Sequence, residues 1–110
     1  MIKYTTPTIS LIVEGVDITA HDIYVTLEQG LTELVKTGAD IIATAITEDQ
    51  MTSTRITLTL TQTESALFDH NKSAAIQVNW ITSTGVRCAT EIKSIGVLRN
   101  LLDKVIGYGD

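Results

Sequence analysis

The stretch Arg55–Phe68, RITLTLTQTESALF, sets the tightest limit on what this chain can fold into. Its first half alternates apolar residues with threonine, placing Ile56, Leu58 and Leu60 on one side and Thr57, Thr59 and Thr61 on the other. A period of two belongs to a strand with one buried face. At Thr61 the alternation stops. Thr61-Gln62-Thr63-Glu64 fits the capping box, in which the Thr61 hydroxyl accepts from the third helical amide and Glu64 reaches back. Leu67 and Phe68 give the short helix an apolar patch, and Asp69-His70-Asn71 ends it, with Asn71 suited to a left-handed C-cap. A strand pattern resumes at Ser73–Thr82, with Ile76, Val78 and Trp80 on one face. One or two helical turns are therefore inserted between two strands, too far out of register for a hairpin. The helix carries the chain from one sheet to another.

The same alternation recurs elsewhere. Thr8–Glu14 places Ile9, Leu11 and Val13 on one face, after Pro7 at the strand's start. Asp22–Gln29 separates Ile23, Val25 and Leu27 from Tyr24, Thr26 and Glu28, as in a half-buried antiparallel strand. Leu31–Lys36 reads as a short third strand and Thr37–Asp40 as a turn. Ile41–Thr47 reads as a fourth strand with Ile42 and Ile46 inward, in competition with a helix over Asp40–Met51 favoured by Ala, Glu, Gln and Met. Ser83-Thr84-Gly85 joins the Trp80 strand to Val86–Val97 as a hairpin. About seven short strands with no βαβ alternation predict an all-β, Ig-like antiparallel β-sandwich with a short crossover helix, spanning residues 1–110 as one domain.

Composition agrees. Threonine, isoleucine and valine share a branched Cβ that suits pleated strands. With 110 residues the chain buries roughly two-thirds of its unfolded surface, enough for one core without staples. The single cysteine, Cys88, rules out an internal disulfide and fits a small buried side chain or a reducing compartment. No apolar run reaches the ~18 residues of a membrane helix, and MIKYTTPTIS lacks a signal-peptide core.

The net charge is −5 and the basic residues are scattered singly, which offers no counterion-releasing patch for nucleic acid. Charged residues make up 19% of the chain, below the ~25% usual for soluble domains, and such a surface either packs against other proteins or is simply a neutral solvated one. His21 and His70 lie far apart, with no cysteine or histidine partner at metal-ligand spacing. There is no nucleophile elbow and no glycine-rich phosphate loop. Asn71-Lys72-Ser73 fits the glycosylation sequon, but with no secretory signal it reads as a chance match. The reading is a non-enzyme with no catalytic, cofactor or metal site and no small-molecule substrate.

The C-terminal stretch carries the most informative pattern. Leu98, Leu101, Leu102, Val105 and Ile106 fall at helical spacing and would form one apolar stripe. Residues 97–110 are either a short helix bearing that stripe or a tail. The stripe either packs back on the sandwich or docks on a partner subunit.

The segments TPTISLIVEG, VDIT, DIYVTLEQG, ITLTLTQTES and AAIQVNWITSTGVRCATEI together resemble small proteins of tailed-phage and prophage structural-gene clusters from Gram-positive gut bacteria. The first part also looks distantly like the Ig-like N-terminal domain of phage baseplate upper proteins. The Gly30–Met51 region departs most from that pattern. The resemblance implies a virion structural protein of the tail, baseplate or neck, assembled in the host cytoplasm. Its partners would be phage structural proteins or further copies of itself. The alternative is a small phage-encoded inhibitor of a host defence protein.

Overall fold

The structure, a computed structural model, describes residues 1–107. Two antiparallel sheets pack as an all-β sandwich. The strands are β1 (Thr8–Val13), β2 (Asp22–Gln29), β3 (Thr32–Thr37), β4 (Ile41–Glu48), β5 (Met51–Thr59), β6 (Ala74–Ile81), β7 (Arg87–Ala89) and β8 (Lys93–Ile95). One sheet has the order β1-β5-β4; the other has β3-β2-β6-β7, with β8 also paired to β6. The eighth strand arises because the predicted Val86–Val97 strand breaks. Val78 N donates to the Thr90 hydroxyl at 3.1 Å, and the ladder restarts only at Lys93.

The helix α1 (Gln62–Ser65) crosses from β5 in one sheet to β6 in the other, as the period change at Thr61 predicts. The capping box is complete. Glu64 N donates to Thr61 Oγ1 at 3.1 Å, and Thr61 N donates to Glu64 Oε1 at 2.9 Å. Phe68, just beyond, is fully buried, whereas Leu67 is half exposed. Asn71 does not take the left-handed conformation expected of it. Ala66 caps the helix in a right-handed conformation, and the Asp69 carboxylate accepts from Asn71 N at 2.9 Å, making a turn instead.

The inward faces of the strands meet in the middle. Ile23, Val25 and Leu27 of β2 and Ile76, Val78 and Trp80 of β6 join Ile56, Leu58, Leu60, Val13, Ile18 and Phe68 in one buried cluster. The loop after β1 is stitched beneath β5 by the buried Thr54, whose hydroxyl accepts from Ile18 N at 3.0 Å and donates to Val16 O at 2.9 Å. No helix is long and apolar enough to cross a membrane among the described residues.

A further expectation fails in β4. It is a strand, so the competing helix is excluded, but its facing is the reverse of that expected. Ile41 and Ala43 turn toward the core, while Ile42 is 65% exposed and Ile46 shares its outer side. The pairing Ala43↔Ile56 fixes this, because residues directly opposite in a ladder share a face and Ile56 is fully buried. Of the two readings of the C-terminal stretch, helix or tail, the described residues take the tail. Residues 98–107 form no helix; Leu98 makes a single parallel bridge to Ile2, and bends follow. Residues 108–110 of the predicted C-terminal stretch lie outside the described residues.

Candidate interaction surfaces

The C-terminal segment is held mainly through its backbone and Asn100, and its large apolar side chains are left exposed. Met1 N donates to Gly96 O at 2.8 Å, Leu98 N to Met1 O at 2.7 Å, and Lys3 N to Leu98 O at 3.0 Å. Asn100 Nδ2 adds a bond to Lys3 O at 3.0 Å. Further along, the Gln62 side-chain amide grips Ile106 with both ends, donating to its O at 2.8 Å and accepting from its N at 2.9 Å. Leu98, Leu101, Leu102, Val105 and Ile106 are all exposed, Leu101 almost completely at 87%. The five residues do not share one helical stripe. They decorate an extended strap that runs from the N-terminal residues to α1.

The second surface is the edge of the smaller sheet. Among the described residues, β4 pairs with β5 along its whole length and with no other strand. Its residues Ile41–Thr47 carry no charge, no proline and no bulge. The β4–β5 turn is Asp49-Gln50, and both residues have positive φ, 49° and 66°. That pair of left-handed residues is what a two-residue type I′ hairpin demands, and its twist matches that of the strands it joins. β1 ends at the Val13↔Thr54 pair, so the hairpin tip beyond it has neighbours only within itself in this sheet. Ile12, Ile46 and Met51 cluster on its outer face around Arg55, with Glu14 and Glu48 close by.

The larger sheet ends in β3, which is built differently. Its Lys36 points inward and is buried, and its ammonium meets Glu64 Oε1 at 2.6 Å. Burial pushes the Glu64 carboxyl upward. Hydrogen bonds from Lys36 and the Thr61 amide, with the Lys36 charge, outweigh that and hold it below its ordinary value. Asp17 is also held low, first by the Thr19 hydroxyl and then by the Thr19 amide, within an exposed turn.

A cleft of about 480 Å³ opens at the other flank, lined by Leu11, Val13, Ile76, Val78 and Trp80, with Glu91 and Lys93 among its polar residues. His21 lies in the turn before β2 and His70 is exposed beyond α1. Among the described residues, no group of three histidine, cysteine or carboxylate side chains is placed to hold a metal. Cys88 is partly buried against the core. No protein family, curated protein or solved structure matches the chain.

Proposed function

We propose that the chain is a non-enzymatic assembly protein that works through protein–protein contacts, and that its setting is a phage virion, as a tail, baseplate or neck component. One observation carries the first half. Apolar side chains are left uncovered along the 98–106 strap and at Ile42 on the neutral β4 edge. Solvated single apolar residues are ordinary; contiguous ones beside an open strand edge are what interfaces are made of. The virion setting comes from the sequence resemblance, and localisation follows from it.

The test pairs Leu101→Asp with Leu102→Asp. Because these side chains are exposed, the monomer should keep its circular dichroism and melt within roughly 0.5 kcal/mol of the parent. Assembly, read by sedimentation velocity, should weaken. A parent chain that stays monomeric at every concentration and is missing from purified virions would sink the proposal. Recovery of a stoichiometric host protein with no phage protein would shift these surfaces to the inhibitor reading.

A further inference from the structure

We propose that β4 pairs with β4 of a second copy of this chain, antiparallel about a two-fold axis at Thr44, joining the two smaller sheets into one. The sequence of the strand carries the argument. Residues 42–46 read Ile-Ala-Thr-Ala-Ile, the same in both directions. A two-fold contact places residue i opposite j and j opposite i, so it is best served by a self-complementary strand. About Thr44, Ile42 meets Ile46, Ala43 meets Ala45 and Thr44 meets its own copy. Each matched pair has equal size and shares a face of the joint sheet.

Three further observations favour a second copy. The chain carries −5 overall, so two copies repel least where they meet on a neutral surface, and Ile41–Thr47 is such a surface. The sheet already pairs hydroxyls across its strands, Thr8 with Thr59 at 3.3 Å, Ser10 with Thr57 at 3.2 Å and Thr47 with Thr52 at 3.2 Å. A Thr44–Thr44 pair repeats that arrangement. Ile42, more exposed than most large apolar side chains of the strands at 65%, gains an isoleucine neighbour. The matched apolar pairs set the register, and the acidic ends oppose it. Sliding one copy by two residues sets Ile42 opposite Glu48, or Ile46 opposite Asp40. In the symmetric register Asp40 faces Glu48 of the second copy at both ends, so added salt should tighten the contact.

The proposal rests on reading β4 as a contact edge and not on the virion setting. Residues directly opposite in an antiparallel ladder have Cα atoms roughly 4.5–5.5 Å apart, within reach of a disulfide. In a Cys88→Ser background, Thr44→Cys should form a covalent dimer under mild oxidation. Ile42→Cys alone should not, whereas Ile42→Cys mixed with Ile46→Cys should cross-link. Glu48→Gln removes both acidic end pairs and should tighten association roughly two- to thirty-fold. Thr44→Lys should abolish it while the far-ultraviolet circular dichroism stays that of the parent. Absence of the Thr44→Cys dimer, or equal cross-linking by Ile42→Cys alone, overturns the pairing. So does an association that Thr44→Lys leaves unchanged. A free chain that is monomeric yet incorporated into a mixed assembly overturns self-pairing and leaves the assembly reading intact.

Discussion

β3 and β4 follow one another through a single 3-10 turn, Gly38–Asp40, and each ends its own sheet on the same flank of the sandwich. Their edges are treated in opposite ways. β3 carries Glu33, opposite Glu28 on its neighbour, and an inward lysine tied to Glu64. Edge charges, inward-pointing ones above all, deter a further strand from pairing. β4 has none of these over seven residues, Ile41–Thr47. β1, on the opposite flank, is also uncharged, but it is shorter and follows Pro7, whose nitrogen has no hydrogen to donate. Exposed, uncharged edges tend to recruit strands. A protein that blocks one edge and leaves its neighbour open directs where pairing occurs.

The largest effect should come from the blocked side. Lys36→Met leaves the Glu64 carboxylate, only 22% exposed, without its cation. Breaking a buried pair costs about 3–5 kcal/mol, and partial exposure of Glu64 reduces this to about 2 kcal/mol. Urea denaturation at neutral pH reads it. A loss under about 0.5 kcal/mol would show that the pair contributes nothing to stability.

The same pair sets an acid dependence. Because the folded pKa of Glu64 is depressed, its contribution is fully present above the ordinary 4.5 and is lost as the pH falls below it, through the folded value. The parent should therefore lose more stability than Lys36→Met between neutral pH and the pH just below that window. Identical slopes in the two proteins would refute the linkage.

Thr61→Ala should cost about 1 kcal/mol, because it removes the N-cap that holds Glu64 in reach of Lys36. Thermal denaturation measures it. The smallest effect on folding belongs to the open side. Ile42→Lys on β4 should change stability by no more than roughly 0.5 kcal/mol, since that side chain is already largely in water. It should nevertheless give β4 the protection β3 has and weaken association in sedimentation velocity. A variant that loses folding instead would mean that Ile42 belongs to the core.

Much of the sandwich was legible because its central strands alternate cleanly. Asp22–Gln29, Arg55–Leu60 and Ser73–Thr82 each bury one face, and a strand with one buried face can be written only one way. The crossover helix was equally legible, since Thr61 and Glu64 stand at the spacing of a capping box just where the strand alternation stops. The β4–β5 hairpin was harder to read. Its turn is Asp49-Gln50, without glycine, and left-handed glutamine is rarely a turn signal. The facing of β4 was misread because Ile41, Ile42 and Ile46 offer apolar residues of both parities, and small alanines fill the inner side.

The interaction surfaces divide in the same way. The five strap residues were visible as apolar positions, yet their helical spacing was misleading: once Gln62 and the N-terminal backbone bind the segment's own amides and carbonyls, a helix is no longer needed to satisfy them. The neutrality and palindrome of Ile42–Ile46 are properties of the sequence alone. That this strand lies at an edge, with Ile42 in water and Lys36 blocking the strand beside it, was decided only by tertiary pairing. Residue order specifies which faces a strand can bury, whereas long-range partners determine which strand is left without a neighbour.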